Sequence, residues 1–494
     1  MRRAYTVEAI RAAEAELMAR LPEGALMQRA AAGLATVAAR VLREAGGVYG
    51  ARVVLLAGVG DNGGDALFAG ATLARRGVRV EAVLLDAARA HKRGLAALSD
   101  AGGRIATLDG PADAVDALFE GTDLIIDGLL GIGGKGGLRD AAARLAEAVE
   151  GSGAPVVAVD LPSGIDADSG RVDGTTIRAH VTVAFGGYKP GLLIDPAAAR
   201  AGVVEFVDLG LSALPAVAAV EALQSDDVAA LLPELAHETD KYGRGVVGVA
   251  CGSETYPGAG QLATGGALHA GVGAVRYSGP DRVAQDILRR WPEVMITAPL
   301  PADAERVQAW VCGSGFPTDD AYAEQRARQV VESSLPAVLD AGALSYLGPK
   351  GRALGELRAG IVLTPHAGEA ARLLGVERAE IEAARLDSVR RLADGFGATV
   401  LLKGTTTLIA EPGGSEAKTV RANPTGTPVL ATAGSGDVLA GLIGALLAAG
   451  LRPLDAASVG AYLHGMAGRI AGRGGPIAAG DLLAAVRPAW QSVQ

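Results

Sequence analysis

The sequence predicts two successive α/β units, each a mostly parallel sheet covered by helices. Three observations carry that expectation. Short β-branched runs alternate with helical stretches, glycine-rich turns follow several of those runs directly, and a chain of 494 residues exceeds what one hydrophobic core usually supports. The first alternation starts at Arg52, with strands read at 53–56, 78–85, 123–127, 155–160 and 181–185. Residues 211–223 are Ala-rich and carry no chemical motif, and after them the alternation begins afresh. The boundary is therefore placed between 213 and 221, giving domains 1–215 and 222–494. The second series runs through 246–250, 309–312, 337–340, 361–363 and 399–402, and closes with helices from Val438 onward. The uncharged run 438–451 is shorter than the ~20 residues that cross a bilayer, so it reads as a buried helix.

Composition narrows the function classes. Hydrophobic content of 49%, charged content of 20% and 70 glycines fit a globular protein rich in strand-to-helix turns. Two isolated cysteines, Cys251 and Cys312, are too few for a disulfide framework or a structural zinc site, so a reducing, cytoplasmic compartment is expected. Residues 5–20 are amphipathic and carry Glu8, Arg11, Glu14 and Glu16 in place of an export signal's apolar core. A net charge of −9 argues against nucleic acid as a partner, and no membrane contact is expected.

Thr432-Ala433-Gly434-Ser435-Gly436-Asp437 places one carboxylate at the mouth of a glycine-opened helix. Free N–H groups at a helix start bind phosphate, and glycine lets the backbone approach it. A carboxylate there suits a base that takes a proton from a phosphoryl acceptor; capping the helix is the alternative. In the first half, Gly58-Val59-Gly60-Asp61-Asn62-Gly63-Gly64-Asp65, Asp127-Gly128-Leu129-Leu130-Gly131 and Asp160-Leu161-Pro162-Ser163-Gly164-Ile165-Asp166 each follow a strand. Ligands of open α/β sheets sit at such strand ends. The first cluster matches G-x-G-x-x-G, with Asp86 ending the next strand, so a dinucleotide-binding dehydrogenase competes. Asp61 and Asp65 would put two carboxylates where its pyrophosphate must lie. Oxygen ligands from three strand ends suit a hard cation instead. Turn chemistry for Asn62 and Ser163, and a cap for Asp160, are the structural alternatives.

Those clusters, with Tyr188-Lys189-Pro190-Gly191, resemble the NAD(P)H-hydrate epimerase family. The second half resembles its usual fusion partner, the ADP-dependent (S)-NAD(P)H-hydrate dehydratase, through Tyr256-Pro257-Gly258-Ala259, Leu363-Thr364-Pro365-His366-Ala367-Gly368-Glu369, Leu402-Lys403-Gly404-Thr405-Thr406-Thr407 and Gly434-Ser435-Gly436-Asp437. The resemblance implies a Rossmann-like three-layer sandwich followed by a ribokinase-like α/β domain, acting in metabolite repair. Hydrated NADH and NADPH (NADHX and NADPHX) carry water across the C5–C6 bond of the nicotinamide ring in two C6 epimers. The first domain would interconvert them; the second would dehydrate the S form, consuming ADP, with magnesium, and releasing AMP and phosphate.

Carried over by residue, the resemblance puts potassium ligands on Asn62, Asp127 and Ser163. Hydrate contacts fall on Asp61, Asn62, Gly63, Gly64 and Asp65 and on Gly131, Ile132, Gly133, Gly134, Lys135, Gly136 and Gly137, with Asp160 beside the reacting ring as proton carrier. In the second half Ala259, Gly315, His366 and Asp437 match hydrate-contacting positions, Asp437 being the base. Lys403, Gly404, Thr405, Thr406, Thr407 and Gly436 match nucleotide-binding ones. A homo-oligomer is expected. Several positions depart from the family pattern: Asp61 replaces an Asn, Gly342 stands where a second Asp is common, and Val429-Leu430 replaces Gly-Met. The glycine-rich loop at 312–317 leaves Gly313 as a rival of Gly315. Two other activities compete: a ribokinase-like small-molecule kinase fused to a nucleotide-binding module, and a non-catalytic nucleotide sensor.

Overall fold

The computed structural model describes the chain except residues 107–111, 135, 234–239, 298–300, 302–305, 349–353, 355–356 and 414–417, and except the side chains of 112–114. It divides into two compact units, Arg3–Ala219 and a second made of Met1–Arg2 with Val220–Gln494.

The first unit is built on a seven-stranded sheet ordered Arg104–Ala106, Arg79–Leu84, Arg52–Ala57, Leu124–Gly128, Val156–Val159, Val181–Phe185, Val203–Val207. All its pairings are parallel. The alternation of side chains along a strand explains why its centre is apolar throughout. Val53 and Leu55 pack with Leu34, Leu42 and Leu67 of the helices Ala25–Ala45 and Asp61–Ala74. Val54 and Leu56 face the other layer with Leu145 and Val149 of the helix Asp140–Ser152. The result is the three-layer sandwich.

The sheet of the second unit runs Val220–Ala222, Val420–Asn423, Thr407–Ala410, Thr399–Leu402, Ile361–Leu363, Ala337–Leu339, Ala309–Cys312, Val246–Ala250, Ala274–Tyr277, Met295–Ile296. From Thr399–Leu402 to Met295–Ile296 the neighbours are parallel, whereas Thr407–Ala410 is antiparallel to both of its neighbours. Helices Pro257–His269, Ser435–Ala448, Pro453–Ala471 and Ala479–Gln491 bury a common core against the sheet. The 438–451 run lies mostly in the second of these, and every side chain from Val438 to Ala448 is buried.

The sequence pattern missed several strands, Arg104–Ala106, Val203–Val207, Ala274–Tyr277, Met295–Ile296 and Thr407–Ala410 among them, and two further misses have a physical reason. Val420–Asn423 contains Arg421, whose guanidinium is buried on Asp455 at 2.7 Å, so a charged residue masks the periodicity. Val220–Ala222 lies inside the Ala-rich stretch read as a boundary, and its pairing with Val420 and Arg421 draws it into the second sheet. Among the described residues no helix is long and apolar enough to cross a membrane.

Candidate active sites

In the first unit the strand Arg52–Ala57 passes through a tight turn into the helix Asp61–Ala74. A Cβ on Gly58 would stand 1.9 Å from the Leu129 carbonyl oxygen, and one on Gly63 2.2 Å from that of Gly58. Backbone therefore lies on backbone, which only glycine permits. Packing thus accounts for two glycines of the G-x-G-x-x-G match, Gly58 and Gly63, and not for Gly60. Asp86 spends a carboxylate oxygen on the N–H groups of Ala88 and Arg89, so it closes a local turn.

Asn62, Asp127 and Ser163 converge around the peptide of Leu130. Asn62 Nδ2 donates to the carbonyls of Val159 (2.6 Å) and Leu130 (3.4 Å). Ser163 Oγ donates to Asp127 Oδ1 at 2.6 Å and accepts from Leu130 N–H at 2.9 Å, and Ser163 N–H donates to Asp127 Oδ2 at 2.8 Å. Asp127 is fully buried. Burial pushes its carboxyl up to about 6, against the hydrogen bonds from Ser163 and Leu129 that hold it down.

Beside this cluster lies a cavity of ≈ 940 Å³ whose wall includes Glu14, Asp61, Asn62, Asp65, Ile132 and Asp160. Asp160 follows the strand Val156–Val159 with φ +67, a conformation non-glycine residues rarely hold. Its N–H donates to Val183 O at 2.8 Å and its Oδ1 accepts from Phe185 N–H at 3.0 Å. The same oxygen pairs with the ammonium of Lys189, which is 1% exposed and also donates to Phe185 O. Burial, then the charge of Asp160, raises the Glu14 carboxyl above its usual range.

In the second unit, four parallel strands deliver the site. Ser314 follows Ala309–Cys312, Asp340 follows Ala337–Leu339, Thr364 and His366 follow Ile361–Leu363, and Lys403 follows Thr399–Leu402. Asp340 Oδ1 accepts from Lys403 Nζ at 2.9 Å and from Thr364 Oγ1 at 2.8 Å, and its Oδ2 from Ser314 Oγ at 3.1 Å. Lys403 Nζ also lies 3.8 Å from Glu369. Burial alone would lower the lysine, but Asp340 and Glu369 outweigh it and raise it. Opposing charges thus gather at the start of the helix Ser435–Ala448, where Gly434 takes φ +91 and makes no side-chain cap. Asp437 sits in that first turn, its carboxyl pushed up to about 7 by burial and by Asp340, against Ser314 and Lys403.

A cavity of ≈ 760 Å³ opens there, lined by Lys403, Gly404, Thr405, Thr407, Gly436 and His366 among others. Thr406 is buried and absent from the lining; its carbonyl accepts from Arg385, whose guanidinium also ties down the carbonyls of Leu402 and Lys403. His464 lines the same cavity and donates from Nε2 to Ser435 O at 2.9 Å; burial lowers it to about 4, so it stays neutral. His366 caps the helix Ala367–Leu374, its Nδ1 accepting from the N–H groups of Gly368 and Glu369. It is therefore a helix-start histidine that also borders the cavity. Ala259 and Gly315 adjoin, since a Cβ on Gly315 would stand 2.6 Å from that of Ala259.

Of 131–137, Ile132 lines the first cavity and Gly131 abuts Asn62, with 2.6 Å left between its missing Cβ and Asn62 Oδ1. Gly136 and Gly137 take positive φ, Gly133 lies beside Arg11, Gly134 beside Leu130, and Lys135 lies outside the described residues. Asp61 is exposed at the helix start, while Gly63 and Gly64 are buried in its first turn. Sequence reasoning gave no role to Lys189, Asp340, Arg385 or His464. Lys189 and Asp340 stand just after strands, which was the available signal. Arg385 and His464 lie within helical sequence and offered none.

Comparison with known proteins agrees along the chain. A family model for the YjeF-related protein N-terminus matches residues 23–191, and one for NAD(P)H-hydrate dehydratase matches residues 247–479. The chain is 48% identical to the bifunctional NAD(P)H-hydrate repair enzyme Nnr of Mycobacterium tuberculosis over 93% of its length and 92% of that protein's. It is 48% identical to the same enzyme of Mycobacterium leprae over 94% of the chain and 93% of that protein. Its fold matches the ADP/ATP-dependent NAD(P)H-hydrate dehydratase of Bacillus subtilis, crystallised with ATP and Mg²⁺, at a TM-score of 0.50 and 30% identity, covering 56% of the chain and 99% of that structure. The chain belongs to the family of bifunctional NAD(P)H-hydrate repair enzymes.

Proposed function

We propose that this protein repairs hydrated NADH and NADPH, interconverting the R and S epimers in its first unit and dehydrating the S epimer in its second at the expense of ADP. One observation carries the reading: at the strand ends of each unit a cavity has a buried carboxylate in its wall or beside it, set against a lysine. In the second unit Asp437 takes the proton of the C6 hydroxyl as that oxygen attacks the β-phosphoryl of ADP and AMP leaves. The phosphate ester then departs with its C–O electron pair, far more easily than hydroxide, and loss of the C5 proton restores the ring double bond. Lys403 and the N–H groups around Gly436 hold phosphoryl oxygens. Magnesium would arrive on the phosphates of the nucleotide, as it usually does.

In the first unit Asp160 carries protons to and from the substrate at C6. The buried carboxylate, hydroxyl and amide of Asp127, Ser163 and Asn62, with the Leu130 and Val159 carbonyls, form an all-oxygen set that suits potassium once the Asn62 amide turns its oxygen inward. Such a cation offsets the buried charge of Asp127 and fixes the strand ends that carry the substrate loops. The cytosol suits two buried cysteines that remain free thiols. An assay on mixed hydrate epimers with ADP, ATP or neither tests the reading. Restored absorbance of reduced nicotinamide with release of phosphate is expected; a stable phosphorylated product would instead make the second unit a kinase, and nucleotide binding without turnover a sensor.

A further inference from the structure

We propose that Asp65 is the acid of the epimerisation, protonating the departing C6 hydroxyl from the wall of the first cavity. This inference rests on the epimerase reading above and assigns a group that reading leaves idle. Five carboxyl groups share the wall, Glu14, Glu23, Asp61, Asp65 and Asp160, of which Glu23 is exposed and pairs with Arg93. Their surroundings divide them. Asp61 is exposed and Glu14 half-buried, while Asp160 has Lys189 and the Phe185 N–H as partners. Asp65 is 6% exposed and its Oδ1 is sealed without any hydrogen-bond partner.

A charged oxygen in that position would lack both water and a donor, which is the costly arrangement for an ion. The neutral acid tolerates it. In keeping, burial first, and then the charges of Asp160, Asp61 and Glu14, push the Asp65 carboxyl well above the usual range. The two carboxyls of one site thus differ in their partners: Asp160 lies against an ammonium and an N–H donor, while the sealed Asp65 Oδ1 has neither. That division assigns acid and base roles.

The step balances without a further reagent. The C6–O bond breaks with its electron pair on oxygen, the Asp65 proton joins that oxygen to make water, and the ring-nitrogen lone pair forms a C6=N iminium. Water then adds to the opposite face of C6, the iminium pair returns to nitrogen, and the proton shed passes to Asp160. Proton exchange between the two carboxyls resets the site, and the reverse reaction uses them in the opposite order.

The test uses the full chain carrying Asp65→Asn. The amide copies the shape and hydrogen-bond donor of the neutral acid but transfers no proton. The kcat for conversion of R to S is expected to fall by ~10²–10⁴, the usual worth of a general acid, with KM nearly unchanged and dehydration of purified S epimer intact in the same sample. Epimerisation by the unmutated protein in ¹⁸O-water is expected to place label at C6. An Asn variant that keeps its kcat, or that changes only KM, overturns the inference, and so does epimerisation without label, whatever the variant does. An unmutated protein unable to interconvert the epimers would overturn the epimerase reading itself, and the inference with it.

Discussion

Asp437 stands where burial and the Asp340 carboxylate raise its carboxyl to about 7, and a base works only in its ionised form. The rate of ADP-dependent dehydration should therefore fall as pH drops through about 7, tenfold per unit once well below it. Asp340→Asn removes a neighbouring negative charge, so the midpoint should move to lower pH; kcat/KM measured against pH checks both. Asp437→Asn should cut dehydration by ~10²–10⁴ and leave epimerisation untouched, and a near-normal rate would remove it from the base's role. Asp127 is the charged member of the proposed potassium set. Asp127→Ala should abolish the difference in epimerase rate and thermal midpoint between potassium and a bulky organic cation, a difference the unmutated chain should show. What was legible of Asp160 and Asp437 is their place, one at a strand end and the other at a helix mouth. Lys189 and Asp340 stand there too, but a sequence does not reveal which buried charge meets which, and that pairing is what gives them a part.

The turn joining the strand Arg52–Ala57 to the helix Asp61–Ala74 reads in sequence as a dinucleotide fingerprint and in structure as a packing joint. Its glycines differ in kind. Gly58 has no room for a Cβ against Leu129 O, whereas nothing lies within 4 Å of one on Gly60. Gly58→Ala should destabilise the first unit by on the order of 3 kcal/mol, the upper part of the usual overpacking range, while Gly60→Ala should be nearly neutral. Thermal melting of the two variants compares them; equal losses would mean that Gly60 is as tightly constrained as Gly58. Elements with both faces buried, such as Arg52–Ala57 and Thr399–Leu402, were legible as apolar runs. Those that bury charge, such as Val420–Asn423 with its Arg421–Asp455 pair, were not, because tertiary pairing overrides hydrophobic period there.

Chain length and the restarted strand pattern are enough to announce two units. What the pattern could not show was that residues 220–222 pair with the strand at 420–423 and so belong to the second, since strand partners are set by three-dimensional neighbours. Each unit has its own core and a cavity lined only by its own residues. Neither site borrows a side chain from the other, so their activities should separate cleanly by mutation. Given both epimers and ADP, the Asp160→Asn chain should convert only the S portion, with the R epimer persisting except for slow spontaneous conversion. The Asp437→Asn chain should interconvert the epimers and yield no reduced nucleotide. Mixed in one tube, the two inactive halves are bypassed, because the S epimer made by one protein is free to diffuse to the intact second unit of the other. Complete recovery of reduced nicotinamide is the expected outcome, followed by absorbance. A mixture that stalled after the S portion, with each variant active in its own half-reaction, would mean that the intermediate passes only within a single chain and that the two sites are not independent.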